Sequence, residues 1–526
     1  MSIFSRANKR ISFGGAATLL VAVALAGQLL GFLRNRLISA NFTVTDPGAS
    51  DAFFAAFQIP DFFFYTIAAG ALGVAFIPIL SDRLQIGDRK SVWELSSSLL
   101  NLLLIIMGAV SLVIFAFARP LMQALAPNLP AENFEQAVTI MRLISLNPLL
   151  FTVSGILTSM QQIFGRFFFY AVAPLTYNFA IIASIYLLSD QMGIVGLGVG
   201  ALVGGFMQLG IALLGLVGLG FRYTPTIKMK SKSFKKILRQ LPPRSLDQGV
   251  DQVNSVVEVN RAQALGTGPV SYYNFALTLM NVPIMLLGHS IATAAFPRLS
   301  ERLSQNRPDL FRKDFRSIIR LMIWMTVPVV VVSYFGRGYL ARLIFGDVAP
   351  EVALIFGYLT VAIFFRVIYS MISRFFYAHK DTKTPLYTSV LAITLNIFLA
   401  FTLARPEAYG ISGLAMAQSI TATFEVVVLG SIMVMRDKKI INSTFWLGLT
   451  KIASVTGFSV LTAYIMLSFL PLQISDRGLV TLGSKLTAIS GATIGVHIFA
   501  SALFGLEEAK MTLSHAKRLI WRPIKL

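Results

Sequence analysis

Charged and amide side chains recur at helical spacing between Ser245 and Gly268, a segment that separates two long hydrophobic halves of the chain. They are spaced four, three, four and three residues apart: Asp247, Asp251, Asn254, Glu258 and Arg261. On an α-helix this spacing puts all five on one face. In a membrane helix such a face must meet a water-filled cavity or another protein surface. The alternative is an amphipathic helix that lies on the membrane surface.

Three other apolar segments carry polar side chains on one helical face. Arg34 lies deep in the first segment, where exposure to lipid would cost about 3 kcal/mol. The second and eighth segments contribute amides, carboxylates and a hydroxyl: Asp51, Gln58, Asp61, Asn274, Thr278 and Asn281. One aqueous cavity shared by the four faces explains them best. Four separate sites of hydrogen bonding between helices are the alternative.

The predicted cavity mixes both signs of charge. Arg34 and Arg261 have the chemistry to bind a pyrophosphate or a carboxylate, and they would equally neutralise neighbouring acidic groups. No Ser/His/Asp set, P-loop or Asp-rich metal motif occurs in the sequence, so hydrolytic and ATP-driven chemistry has no support. The residues therefore predict binding and transport and no catalysis.

The composition is typical of an all-α polytopic membrane protein. Of the 526 residues, 55% are hydrophobic and 13% charged, and apolar runs near 20 residues recur throughout. The chain has no cysteine, which excludes disulfides and thiolate metal sites. The net charge of +21 lies mostly in short loops between apolar segments, so it does not indicate a nucleic-acid partner.

Fourteen segments are predicted to span the membrane. Their bounds are 13–39, 51–80, 92–118, 134–160, 168–188, 193–220, 245–267, 271–297, 316–336, 350–376, 384–404, 410–435, 446–470 and 481–504. With the N-terminus inside, the inside loops hold nearly all lysine and arginine, as topology requires. This asymmetry predicts cytoplasmic termini and favours a spanning segment at 245–267 over a surface helix, since its removal would invert every later loop.

Two motifs recur in the same order in both halves of the chain. Residues 78–84 (PILSDRL) resemble 297–303 (PRLSERL), and 166–177 are echoed by 374–388. Six predicted spans separate the copies, and an even number keeps their orientation, so the repeat is parallel. Such repeats occur in transporters whose two bundles rock about a site at their interface. Chance similarity of short apolar motifs is the alternative.

Three stretches stand out as motifs: 31–34 (GFLR), 51–60 (DAFFAAFQIP) followed by 70–80, and 376–385 (FYAHKDTKTP). They resemble the MurJ/MviN flippase family, and the third matches that family's junction between the tenth and eleventh spans. The resemblance covers essentially the whole chain. It implies the exporter fold of the MOP superfamily, with two six-helix lobes around a central cavity and two additional C-terminal helices. It also implies flipping of lipid II, the undecaprenyl-diphosphate-linked peptidoglycan precursor, across a bacterial plasma membrane.

The resemblance implies roles for some residues of the predicted cavity, and at other positions this chain differs from the family. Arg34 matches a cavity arginine of the family, and Asp51 its acidic partner. The family usually has two arginines where this chain has Phe64 and Tyr65, and Arg261 would partly compensate for the missing charge. Two further positions depart from the family: Ala69 replaces an acidic residue and Thr278 an arginine. The residues expected to bind substrate are Arg34, Asp51, Gln58, Asp61, Asp251, Asn254, Glu258, Arg261, Asn274 and Asn281.

The resemblance also implies an organisation, a driving force and partners. The expected domains are an N-lobe (1–221), a basic cytoplasmic linker (222–244), a C-lobe (245–440), two further spans (441–505) and a basic cytoplasmic tail (506–526). No cofactor is expected; a sodium ion or the membrane potential would drive transport, with Asp381 as the nominated sodium ligand. The expected partners of the monomer are the lipid-linked precursor and membrane lipids.

Other functions remain open on the residues alone. Transport of another lipid-linked oligosaccharide or of a cationic solute would suit the acidic excess in the cavity. A membrane glycosyltransferase would need a carboxylate constellation such as Asp247, Asp251 and Glu258. A scaffold that does not transport is a further alternative.

Overall fold

The computed structural model describes residues 13–69, 76–85, 89–228 and 231–510, and within these ranges all regular structure is helical. Apolar runs form helices because a helix satisfies its backbone hydrogen bonds internally, which the bilayer interior demands. Within the described ranges, eleven helical segments are long and apolar enough to cross a membrane. The prediction of an all-α polytopic membrane protein is confirmed.

The first compact unit comprises Met1–Ser271. Its helices are α1 (Phe13–Ile38), α2 (Pro47–Phe63), α3 (Ile77–Gln85), α4 (Arg89–Ala116), α5 (Ala118–Leu125), α6 (Ala131–Ile144), α7 (Asn147–Ile163), α8 (Phe168–Met192), α9 (Val195–Leu214) and α10 (Lys232–Gln263). A π-helical turn, Ser39–Thr43, extends α1, and another, Phe64–Ala69, extends α2. Helices α6 and α7 together form one candidate span, Ala131–Ile163.

The second unit comprises Tyr272–Leu526. Helix α11 (Pro269–Pro283) begins in the last residues of the first unit and continues through a π-helical turn, Ile284–His289. The remaining helices are α12 (Ser290–Ser304), α13 (Pro308–Phe335), α14 (Arg337–Phe345), α15 (Ala349–Ala378), α16 (Lys383–Leu403), α17 (Ser412–Arg436), α18 (Ser443–Phe469) and α19 (Gly478–Leu503).

The predicted linker 222–244 is partly extended and partly helical. Its first part lies along α4, where Asn101 Nδ2 donates to the carbonyl oxygens of Thr224 and Thr226 at 2.9 and 3.1 Å. From Lys232 onward the chain is already helical and continues into the predicted seventh span without a break. The helix starts this early because Phe234 and Ile237 are fully buried in an apolar cluster with α4. The seventh predicted span is therefore the second half of a longer helix.

Some sequence predictions fall on the undescribed parts of the chain. The basic N-terminal residues, the family motif at 70–75 and the tail beyond 510 lie outside the described residues. The proposed domain boundaries stay a prediction, although helix α10 belongs by its contacts to the first unit.

Candidate functional site

Arg34 is half-buried on α1, and amide oxygens hold its guanidinium. Nη1 donates to Asn178 Oδ1 on α8 at 3.0 Å, while Nε and Nη2 donate to Asn35 Oδ1 at 3.2 and 3.1 Å. Both acceptors are neutral, so they satisfy donors without cancelling the positive charge. The arrangement fixes a cation of defined orientation inside the first unit.

Helix α8, which carries Asn178, is held close to α9 by two glycines. A Cβ atom at Gly200 would lie 2.2 Å from Ser184 Oγ, and one at Gly204 would lie 3.0 Å from the Cα of Tyr177. Glycines four residues apart allow two membrane helices to approach at backbone distance. The close packing against α9 holds α8 in place, and with it the Asn178 side chain that accepts the hydrogen bond from Arg34.

Asp61 on α2 is the acidic residue near Arg34. It is half-buried and close enough for electrostatic interaction with both Arg34 and Tyr177. Gln58, also half-buried, lies three residues earlier on the same helix. The first two predicted polar faces thus approach each other within the first unit, and the shared aqueous cavity stays a prediction.

Aromatic side chains fill the positions at which the family resemblance leads one to expect arginines. Phe64 packs edge-to-face against Phe151, with 5.6 Å between ring centroids, and Phe151 packs in the same way against Tyr177 at 5.1 Å. Tyr65 is 42% exposed and lies within electrostatic range of Asp61. The side chains near Arg34 are therefore aromatic and acidic, where the family resemblance leads one to expect further arginines.

Asp51 is fully buried and anchors the start of α11. Its carboxylate accepts hydrogen bonds from the backbone N–H of Gly268 (2.6 Å) and Ser271 (2.8 Å) and from Ser271 Oγ (2.6 Å). A carboxylate at a helix N-terminus satisfies donors that have no partner within the helix. The geometry shows an anchoring contact, and the predicted contact of Asp51 with substrate stays a prediction.

The charged and amide residues predicted to share one face of a helix lie on α10, which is continuous through all five of them. Asn254 Nδ2 donates to Glu258 Oε1 at 2.9 Å, and Glu258 is 4% exposed. Asp251 is exposed and Arg261 half-buried, whereas the side chain of Asp247 lies outside the described part of the chain. Helix α10 lies beside the turn that contains Tyr65: a Cβ atom at Gly249 would be 3.1 Å from Thr66 Cγ2.

Two of the predicted binding residues belong to the second unit. Asn274 is half-buried and Asn281 exposed on α11, and Thr278 Oγ1 donates to the carbonyl oxygen of Asn274 at 2.9 Å. Their predicted role as substrate contacts stays a prediction.

The nominated sodium ligand, Asp381, lies in the loop before α16. Its Oδ1 accepts from the backbone N–H of Lys383 and Thr384, and its Oδ2 accepts from Thr384 Oγ1 and Arg436. Partial burial raises the pKa of this carboxyl, but the hydrogen bonds from Thr384 and Arg436 outweigh burial and lower the pKa to about 2. In the described chain no group of three or more His, Cys, Asp or Glu could hold a metal ion. The role of Asp381 in sodium binding stays a prediction.

Sequence reasoning missed the residues that orient Arg34. Asn35 and Asn178 lie in predicted spans, where any amide side chain requires a partner. That requirement could have marked Asn178 as a residue that needs a polar partner, but the partner is 144 residues away in the chain, and local periodicity does not reveal it.

Comparisons with known proteins give one consistent family. Residues 45–476 match the model of the family described as lipid II flippase MurJ. A probable lipid II flippase MurJ of Borreliella burgdorferi is 25% identical over 434 residues, covering 81% of this chain and 84% of the relative. The probable lipid II flippase MurJ of Rhizobium meliloti is 26% identical, and the alignment covers 81% of each chain.

Solved structures show the same fold. A lipid II flippase MurJ in an inward closed conformation superposes with a TM-score of 0.77 at 22% identity, covering 93% of this chain and 98% of that one. An inward-facing multidrug resistance MATE transporter of the MOP superfamily gives a TM-score of 0.66 at 15% identity, with coverage of 81% and 98%. At these identities the likeness concerns the fold alone.

Proposed function

We propose that this chain, which belongs to the lipid II flippase MurJ family, moves lipid II from the cytoplasmic to the outer leaflet of the bacterial inner membrane. The family consists of transporters, so the chain is not an enzyme. The observation that carries the proposal is the Arg34 guanidinium, which neutral amides hold inside a membrane-spanning unit with its charge intact. A diphosphate is the anion that such a cation would bind in a lipid-linked precursor.

The site supports translocation through a balance of charges. The negative charge of Asp61 near Arg34 lowers the affinity of the site for a diphosphate. Lower affinity suits a transporter, because its substrate must be released on the far side of the membrane. Gln58, Asn254 and Glu258 supply hydrogen-bonding groups for the sugar and peptide parts of the head group. Arg261, on the α10 face, is proposed as a second contact for the diphosphate. Alternating access without ATP, driven by a sodium ion or the membrane potential, completes the proposal.

Fourteen spans and a monomeric state belong to the same proposal. Three helices add to the eleven candidate spans: α1, α2 with its π-helical turn, and α10. Helix α10 has a low mean hydropathy because its first turns belong to the basic linker and its second half carries the polar stripe. The concentration of lysine and arginine in alternate loops supports cytoplasmic termini.

Rescue of a flippase-depleted bacterium tests the function. We expect this chain to restore growth, and to expose lipid II to an enzyme that degrades it only from the outer side. Arg34→Ala removes the cation and should reduce outward lipid II by about tenfold or more. The matched control is Arg36→Ala, since Arg36 is exposed on the same helix.

Two results would contradict the proposal at different levels. Failure of the unaltered chain to rescue, at normal protein level, would remove lipid II as its substrate. Normal flipping by Arg34→Ala would leave the function standing and remove Arg34 from the binding site. Export of a cationic solute is not favoured, because the curated relatives are named as lipid II flippases.

A further inference from the structure

A cavity of about 670 Å³ opens on the first unit between α4, α6 and α9. Its walls are chiefly apolar and include Gly108, Leu112 and Phe115 on α4, Leu146 just after α6, and Leu202 on α9. Leu112 is 71% and Phe115 55% exposed. Exposed apolar side chains on membrane-spanning helices face lipid, so this groove is accessible from the bilayer.

Arg142 gives the groove a charged edge. It lines the cavity in the last turn of α6, and its guanidinium makes no hydrogen bond or ion pair with any residue that the structure describes. It lies about 16 Å along the helix axis from Ala131. Centred on a hydrocarbon core about 30 Å thick, the segment Ala131–Ile163 places Arg142 about 7 Å below one surface. A cation at this depth needs an anion, and its side chain reaches the level of lipid phosphates.

Ser111 supplies an independent observation. Its side chain is 4% exposed, lines the same cavity and has an Oγ atom that makes no hydrogen bond to any described residue. A buried hydroxyl without a partner costs free energy that a ligand acceptor would recover. The ester carbonyl of a lipid lies between the phosphate and the acyl chain, so it is an acceptor close to both.

We propose that this groove binds an anionic phospholipid of the surrounding membrane, with an acyl chain between α4, α6 and α9 and the phosphate on Arg142. Charge complementarity selects the head group, because Arg142 is the one charged residue among the described residues that line the cavity. The volume lies within the range of specific small-molecule sites, about 300–1,000 Å³. The site is separate from the Arg34 site and requires membrane embedding but no transport activity.

Photolabelling of the full-length chain in liposomes tests the proposal. The probes are phosphatidylglycerol and phosphatidylcholine, each with a diazirine on one acyl chain, and labelled peptides are identified by mass spectrometry. We expect phosphatidylglycerol to label the α4 peptide that contains Leu112 and Phe115, about fivefold more strongly than phosphatidylcholine, the factor expected for one arginine near a lipid surface. Arg142→Gln should abolish this preference and leave labelling by phosphatidylcholine unchanged.

A matched pair of glycine substitutions separates occupancy from folding. A Cβ atom at Gly108 meets no described atom within 4 Å, so the backbone accepts a side chain there, and we expect Gly108→Phe to fill the groove and reduce labelling to background. A Cβ at Gly210, exposed elsewhere on α9, likewise meets nothing within 4 Å, and Gly210→Phe should label like the unaltered chain. Equal labelling by the two lipids, or unchanged labelling in Gly108→Phe, would overturn the proposal. Competition by undecaprenyl diphosphate and not by phosphatidylglycerol would overturn it in favour of a polyisoprenyl ligand.

Discussion

An arginine inside a membrane protein needs acceptors that satisfy its donors, and the kind of acceptor decides what the residue can do. A carboxylate that pairs directly with Arg34 would leave it no charge for a substrate. The amide oxygens of Asn35 and Asn178 accept hydrogen bonds from Arg34 and do not neutralise its positive charge. Asp61 interacts with Arg34 electrostatically. We expect such a site to retain affinity for an anion without the strong binding that would stop transport.

Asn178 is therefore predicted to be a positioning residue. Asn178→Ala removes the acceptor of Nη1 and should reduce lipid II flipping by about tenfold or more, the effect of one hydrogen bond to a charged group. Asn178→Gln keeps a neutral acceptor oxygen and should recover most of the rate. Outward exposure of lipid II at matched protein level is the measurement, with Phe179→Ala, 57% exposed on the same helix, as the control.

A double variant distinguishes positioning from a separate contribution. If Asn178 acts only by orienting Arg34, Arg34→Ala combined with Asn178→Ala should flip no more slowly than Arg34→Ala alone. Additive losses, or failure of Asn178→Gln to recover activity, would assign Asn178 a role independent of Arg34.

The sequence predicted which residues are polar and on which helical faces, but only some of their contacts. Arg34 and Asp61 were placed in one cavity, and the structure brings them within electrostatic range. Asp51 was assigned to the same face, yet its side chain caps α11, because a buried carboxylate takes the nearest unpaired N–H groups. Helical periodicity identifies a face and carries no information about which distant segment supplies its partners.

Among the secondary-structure elements, hydropathy predicted the positions of the long helices well. It did not predict the short helices or a helix start that depends on side-chain packing. Predicted spans such as 350–376 and 384–404 match α15 and α16 to within a few residues. The short helices α5 and α14 were not predicted, since both are shorter than a span. The early start of α10 was also missed, because it depends on burial of Phe234 against α4.

The loop between α15 and α16 provides a pH-dependent test at this scale. Asp381 closes the loop by accepting hydrogen bonds from Thr384 and Arg436, so Asp381→Asn should lower the thermal midpoint at pH 7 by about 2 °C, for a loss near 1 kcal/mol at a partly exposed group. The pKa of Asp381, about 2, is below its usual value of 3.8. Its contribution is therefore fully present above pH 3.8 and is lost as the pH falls through about 2.

The measurement is the thermal midpoint of purified protein between pH 7 and pH 2. The difference between the unaltered chain and Asp381→Asn should be constant at the upper end and narrow below about pH 4. Glu407→Gln, in the exposed loop between α16 and α17, should leave the midpoint unchanged near pH 7. A difference that persisted at pH 2 would show that the carboxylate charge is not what stabilises the loop.

On the scale of the whole molecule, both units repeat one construction. In the first, α2 contains Pro60 and passes into the π-helical turn Phe64–Ala69. In the second, α11 ends at Pro283 and passes directly into the π-helical turn Ile284–His289. Proline removes a backbone donor, so a wider turn at these points is expected. The shared construction supports the parallel repeat that the short motifs indicated.

The repeat extends to the cytoplasmic ends proposed for the helices. In the first unit Arg166, between α7 and α8, donates to the carbonyl oxygens of Val217 and Gly218 just after α9. In the second unit Arg436, at the end of α17, donates to Asp381 between α15 and α16. In each half, this contact links the loop between the predicted fourth and fifth spans to the end of the predicted sixth span. If the two halves are parallel repeats, as the motifs predict, α10 must cross the membrane.

The absence of cysteine allows that requirement to be tested directly, because single cysteines can be introduced without background labelling. We expect Lys235→Cys, in the first turn of α10, and Thr267→Cys, just after its end, to lie on opposite sides of the membrane. Lys235→Cys and Lys438→Cys should resist a membrane-impermeant maleimide in intact cells, whereas Thr267→Cys and Ile474→Cys should react. Permeabilised cells provide the control, in which all four should react. Equal reactivity of Lys235→Cys and Thr267→Cys in intact cells would show that α10 lies on one side, and the charge asymmetry of every later loop would then need another explanation.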